Sequence, residues 1–198
     1  MLPIRLPQQR RPVGTLKASG MLCLLLFLAG CQGYIAGVDE EHVSKYSLKK
    51  RKTYIGRLFA DGRQQQPVSV PVPVSVSTRD GLMELIRHFP SVPYRAGGVT
   101  PEGFDCSGLV QYLYRQHFAI ILPRTSAEMA EIGEPVQVPE SGDLVFFTIN
   151  GERIDHVGIA VDENRFFHAA SSGVRTDDLR SPYYRQRYLF TTRIITVE

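Results

Sequence analysis

In Gly103-Phe104-Asp105-Cys106-Ser107-Gly108-Leu109-Val110, a good helix N-cap, Asp105, stands directly before a cysteine. Behind it Leu109, Val110, Leu113, Tyr114 and Phe118 recur at helical spacing, which predicts a helix with Cys106 in its first turn. Unpaired N–H groups and the positive end of the helix dipole favour thiolate over thiol there, and the thiolate is the form of cysteine that attacks carbonyls. The alternative is a buried structural cysteine, since free Cys is among the most buried residue types. The neighbours speak against it: Asp105 and Ser107 surround the sulfur with hydrogen-bonding groups, and Gly103 and Gly108 leave room for another chain to approach.

Upstream, the chain opens with a basic, Pro/Gln-rich stretch followed by a short apolar run, Met21 to Ala29. That run is too short for a permanent membrane span and fits the h-region of a secretory signal. Leu28-Ala29-Gly30-Cys31 then matches the cleavage site of bacterial lipoprotein precursors, in which the cysteine is lipidated and becomes the new N-terminus. Residues 1–30 are therefore expected to be a signal peptide, with Cys31 as the lipidated residue. Cys23 would leave with the leader, and Cys106 would remain without a thiol partner in an oxidising compartment.

The formal charge of +3 misleads about partners. Four of the 23 basic residues (Arg5, Arg10, Arg11, Lys17) precede Cys31 and no acidic residue does, leaving 19 basic against 20 acidic groups beyond it. No nucleic-acid partner is expected. The three cysteines form no disulfide framework and no pair has metal-ligand spacing; the thiol chemistry read at Cys106 implies neither metal nor organic cofactor.

Residues 31–77 read as a linker. Lys49-Lys50-Arg51-Lys52 is a solvated basic cluster near the anchor, and the Val, Pro and Ser alternation from Pro67 to Val76 reads as an extended spacer. The folded domain is placed at residues 78–198. Its expected elements are a helix over 80–89 ended by Pro90, the Cys106 helix, a helix over about 126–132, and strands over 143–147, 156–161 and 165–169, with Asn150-Gly151 as a turn.

Two histidines lie on the last two strands, and loop length decides whether they meet. With a two-residue loop, Glu163-Asn164, His156 and His168 face opposite sides of the sheet. With a three-residue loop, Asp162-Glu163-Asn164, His168 stands opposite Gly158 and diagonal to His156 on the same face. The second register is favoured because Asn164 tolerates the left-handed conformation such a loop requires. Gly158 and Ala160 would lower that face for the helix bearing Cys106. His42, His88 and His117 have no such neighbourhood and read as surface or core-edge residues.

A thiol at a helix N-terminus, a histidine on a facing strand and a polar group orienting it constitute a papain-type nucleophile set. Tyr94-Arg95-Ala96-Gly97-Gly98, the Gly103–Val110 stretch, Leu122-Pro123-Arg124, Gly142-Asp143-Leu144-Val145-Phe146-Phe147, His156-Val157-Gly158-Ile159 and Phe167-His168-Ala169 together resemble the NlpC family of bacterial cell-wall cysteine peptidases, over roughly residues 80 to 195. The resemblance implies an α+β, papain-like fold, a central antiparallel sheet packed against helices. It also implies cleavage of peptidoglycan stem peptides beside D-glutamate or diaminopimelate.

By resemblance, Cys106 is the nucleophile, His156 the general base, His168 its orienter and Tyr94 a residue near the oxyanion and substrate. Asp105 and Ser107 match positions that can contact the free amine of the stem peptide. Ala96 departs from the Tyr or Trp of many members, which bears on the shape of the groove. An amidase or acyltransferase on the same scaffold and a non-catalytic wall-binding lipoprotein are the competing readings. A monomer lipid-anchored to the cell envelope is expected, at the outer membrane facing the periplasm, because Gln32 is not the Asp associated with inner-membrane retention.

Overall fold

The computed structural model describes residues 54–57 and 68–198; the leader, Cys31 and the basic cluster lie outside the described residues. The strands are β1 (Tyr54–Arg57), β2 (Val68–Ser69), β3 (Val72–Val74), β4 (Val99–Thr100), β5 (Gly103–Phe104), β6 (Ile120–Ile121), β7 (Glu134–Val136), β8 (Leu144–Phe147), β9 (His156–Ala160), β10 (Arg165–Ala170), β11 (Gly173–Asp178), β12 (Tyr188–Arg193) and β13 (Ile195–Val197). The helices are α1 (Val76–Arg87), α2 (Cys106–Phe118), α3 (Ser126–Met129) and α4 (Pro182–Arg185).

Six strands form an antiparallel sheet in the order β11-β10-β9-β8-β12-β7. Side chains alternate across it, so β8, β9, β10 and β12 each feed two cores. On one face Leu144, Phe146, Val157, Ile159, Phe167 and Ala169 join Cys106, Leu109, Val110 and Leu113 of α2. On the other, Val145, Phe147, Ala160 and Phe166 pack with Leu179, Tyr184 and Tyr188. Truncating a fully buried aliphatic such as Leu113 to Ala would cost about 2–5 kcal/mol.

The β9–β10 register is that of the three-residue loop: Phe166 pairs with Ala160 and Phe167 with Ile159. The reason differs from the one expected. Among the described residues Ala119 is the only non-glycine with positive φ, so Asn164 is not left-handed. Instead Oδ1 of Asp162 accepts from the backbone N–H groups of Asn164 (2.9 Å) and Arg165 (2.8 Å), a side-chain substitute for the turn. The helix bearing Cys106 also packs on the face opposite the one lowered by Gly158; a Cβ on Gly158 would lie 2.8 Å from the Phe166 ring and 3.2 Å from Cβ of His168.

The Val/Pro stretch is not a free spacer over its described part. Val72–Val74 pairs in parallel with Ile195–Val197, Val72 N–H donates to Ile194 O at 2.8 Å, and the Val72 side chain is fully buried. Pro73 fits an edge strand because the backbone groups used by this pair belong to its neighbours Val72 and Val74. Helix α1 likewise starts earlier than expected, at Val76, because the Ser75 hydroxyl caps it by accepting from Thr78 N–H; Leu82, Met83 and Ile86 form its buried stripe. Helix α3 is shorter than expected and begins with a capping box between Thr125 and Glu128.

Candidate active site

Asp105 has extended backbone, and its Oδ1 accepts from Gly108 N–H at 2.7 Å, so the helix begins at Cys106 as its N-cap dictates. The glycines there serve the chain's own backbone rather than an incoming one. A Cβ on Gly108 would run into the carbonyl oxygen of Gly98, which accepts from Asp105 N–H at 3.1 Å, and a Cβ on Gly103 would lie 2.7 Å from Cβ of Arg95. The Tyr94–Gly98 turn is thereby locked over the helix start.

The sulfur of Cys106 lies 3.8 Å from the carbonyl oxygen of Asp155, at the entry to β9. Burial pushes the thiol up; the N–H groups of Val157, Ser107 and Cys106 itself pull the other way, and the Asp105 carboxylate adds to the rise. The net direction is upward. The expected thiolate preference of the helix start is thus present as donors but outweighed by desolvation.

His156 follows Asp155 directly, so the nucleophile candidate and the base candidate flank the same strand entry. Burial drives the His156 ring down to about 3, and the neighbouring His168 adds to the fall while Asp155 opposes it. Its Nε2 is 2.8 Å from Nδ1 of His168. That leaves Nδ1 of His156 as the ring nitrogen open to other groups. His168 is 1% exposed and stacked on Phe166, with ring centroids 4.5 Å apart; burial also lowers this ring. Both imidazoles are therefore neutral at rest, beside a neutral thiol.

Asp105 and Ser107 lie beside the sulfur but are already engaged. Arg124 donates to Oδ2 of Asp105 at 2.6 Å, to its Oδ1 at 3.1 Å and to Ser107 Oγ at 2.8 Å, while Gly97 N–H donates to Oδ2 at 3.0 Å. An ammonium reaching Asp105 would have to share the carboxylate with Arg124. Tyr94 is 42% exposed and bridges to Phe104; burial raises its phenol, with the negative forms of Cys106 and Asp105 adding to it and Arg124 opposing.

Four residues at this site were not assigned from the sequence. Arg124 lies in a motif quoted for the resemblance, but its pairing with Asp105 is tertiary. Asp177, Arg175 and Tyr184 surround His168: His168 Nε2 is 3.0 Å from Asp177 Oδ2, and the Tyr184 hydroxyl is 3.4 Å from the same nitrogen. The signal for Arg175 and Asp177 was the short Ser171-Ser172 turn after Ala170, which folds β11 back along β10 and pairs His168 with Arg175. Among the described residues no group of His, Cys, Asp and Glu could hold a metal ion.

The NlpC/P60 family pattern matches residues 91–193, just over half of the chain. The Escherichia coli K12 protein named murein DD-endopeptidase MepS/murein LD-carboxypeptidase is 38% identical over 125 residues, covering 62% of this chain and 66% of that protein. The Bacillus subtilis 168 bifunctional muramidase/DL-endopeptidase CwlT is 40% identical over 129 residues, covering 63% of this chain and 39% of that protein. The chain thus spans less than two thirds of either relative's length. In structure, an NlpC/P60 family protein from Bacillus cereus superposes with a TM-score of 0.55 at 24% identity, covering 75% of this chain and 53% of the other. With the α2–sheet architecture and the ordered Cys106, His156 and His168 segments all inside the matched span, the chain belongs to the NlpC/P60 family.

Proposed function

We propose that this protein is a peptidoglycan endopeptidase that hydrolyses amide bonds in cell-wall stem peptides, with Cys106 as nucleophile, His156 as base and His168 as its orienter. The observation that carries the reading is the placement of the Cys106 sulfur at the strand entry that bears His156, whose ring is bonded on its far side to His168. Membership of a family whose relatives are named murein endopeptidases supports the substrate class.

The chemistry starts from neutral partners. As the sulfur adds to the carbonyl carbon, its proton passes to Nδ1 of His156, and the developing oxyanion meets the Cys106 and Ser107 N–H groups and the Tyr94 hydroxyl. The imidazolium returns that proton to the leaving amine as the C–N bond breaks, leaving a thioester. Water, deprotonated by the same nitrogen, adds to the thioester; the carboxyl product leaves and the thiol is restored. No metal or organic cofactor is needed for these steps.

The two relatives' names point to different stem bonds, so bond choice falls to groove residues such as Ala96, Arg124 and Tyr94. Mass spectrometry of products from defined muropeptides identifies the bond cut. A new carboxyl and amine terminus supports hydrolysis, transfer to an added amine indicates the acyltransferase alternative, and retention on wall sacculi without turnover indicates a binding module.

The leader and Cys31 motif support a lipid anchor, and Gln32 after it favours the outer membrane, facing the periplasm. Cys31→Ala should move the protein from the membrane to the soluble fraction with unchanged turnover; persistent tight membrane association would place the anchor elsewhere.

A further inference from the structure

The buried end of the histidine pair is closed by a carboxylate. Oδ2 of Asp177 lies 3.0 Å from Nε2 of His168 and accepts from Arg175 Nε at 2.8 Å and Arg175 Nη2 at 2.7 Å. Tyr184 adds to the polar groups that favour the ionised form of this carboxylate. Burial works to raise the Asp177 carboxyl, but His168, Tyr184 and Arg175 together outweigh it and hold it below its usual range. The group is ionised, and an ionised carboxylate can only accept hydrogen bonds.

This restricts every proton along the line. Nε2 of His168 must carry hydrogen to meet Asp177. The ring is neutral, so its Nδ1 is bare and can only accept from Nε2–H of His156, 2.8 Å away. His156 then carries its single hydrogen on Nε2, and its Nδ1 is the lone pair open toward the thiol. We infer that Asp177 is a positioning residue that, through His168, fixes the proton on Nε2 of His156 and so holds Nδ1 of that ring as the base; this rests on the peptidase reading only for its kinetic consequence.

Arg175 tempers the charge that Asp177 brings. Its guanidinium sits on the same carboxylate oxygen and opposes part of the negative field that Asp177 projects onto His168. Phe166 stacks on one face of His168, and the ring's two nitrogens are held by His156 and Asp177, so turning the ring over would break both of those contacts.

The test is long-range ¹H–¹⁵N NMR on the full chain labelled at histidine, with and without Asp177→Asn. In the wild type both His156 and His168 should carry hydrogen on Nε2 and none on Nδ1. In Asp177→Asn, Arg175 retains the amide oxygen and the NH₂ turns to His168, so that both rings should shift to Nδ1–H. The kcat should fall by on the order of 10²-fold with little change in KM, the loss expected when a general base is occluded. Asp177→Glu, which keeps an acceptor-only carboxylate, should restore the wild-type tautomers and part of the rate. An Nδ1-protonated His168 in the wild type, or unchanged tautomers in folded Asp177→Asn, would overturn the inference. The wild-type spectrum decides even where the variant fails to fold. Tautomers are read without substrate, so inactivity on every muropeptide would refute the peptidase reading and leave this one standing.

Discussion

Gly158 sits against His168 across the β9–β10 pair so closely that a Cβ built on the glycine would lie 3.2 Å from Cβ of the histidine. The same added carbon would be 2.9 Å from the carbonyl oxygen of Phe167, a backbone atom that cannot swing aside. The absent side chain of residue 158 thus sets the depth at which the second histidine lies. Gly158→Ala should lower stability by about 1–3 kcal/mol through overpacking. It should also displace His168 relative to His156 and depress turnover in the protein that remains folded. Denaturant unfolding combined with kcat per folded molecule checks both; unchanged activity would mean that the histidine spacing tolerates this shift.

Cys106→Ala and Cys106→Ser should both abolish hydrolysis while leaving the melting temperature within a few degrees of wild type. The residue is 8% exposed and only its sulfur is lost, so the packing cost is on the order of 1 kcal/mol. Turnover of muropeptides by Cys106→Ala at the wild-type rate would remove this residue from the chemistry.

Why part of this site was legible in the sequence and part was not follows from the range of the interactions. Asp105 caps α2 through an atom three residues away, and the apolar stripe behind it is local, so the position of Cys106 could be read directly. The facing of His156 and His168 follows from a single loop length. The Val/Pro stretch misled because proline lacks a donor, yet β3 bonds through the residues between its prolines, and its partner β13 lies more than a hundred residues away. Strand β11 carries Arg175, Asp177 and Asp178 with little apolar alternation, as an edge strand can, so nothing in its composition marked it. The protonation of Cys106 depends on burial by distant segments, which the residues around it do not encode.

Acid should destabilise this protein through its histidines before its carboxylates. His156 is held at about 3 in the folded state against an unfolded value near 6.5, and His168 is lowered as well. Between those values the unfolded chain binds the additional proton, so unfolding free energy rises with pH there and is flat above it. The stability is complete above pH 6.5 and is lost progressively on acidification toward 3. Each such proton is worth about 1.4 kcal/mol per pH unit inside the window. Comparing wild type with His156→Gln between pH 7 and 5, above the main carboxylate range, isolates the term: the wild type should lose about 1–2 kcal/mol more than the variant. Parallel curves would mean that His156 titrates normally in the folded protein.

The two histidines should differ in what can replace them. In the proposed mechanism His156 takes the thiol's proton and later gives it up, so only a titratable group serves, and His156→Gln should be nearly inactive. His168 presents a bare Nδ1 to His156, and an amide oxygen can do the same. The short side chain of His168→Asn places its oxygen near the position that Nδ1 occupies, whereas the longer His168→Gln places its amide nearer Nε2 and Asp177. His168→Asn should therefore retain the most activity, His168→Gln less but still measurable, and His168→Ala less again, because a ring left without its partner can turn or take the wrong tautomer. All three should remain above His156→Gln. The limb of the pH profile belonging to His156 should survive in His168→Asn with a shifted midpoint, since a neutral acceptor remains beside the ring while the link to Asp177 is cut. Steady-state rates across pH for the four variants provide the measurement. A His168→Asn variant as inactive as His156→Gln would mean that the histidines exchange protons as one unit, or that their roles are reversed.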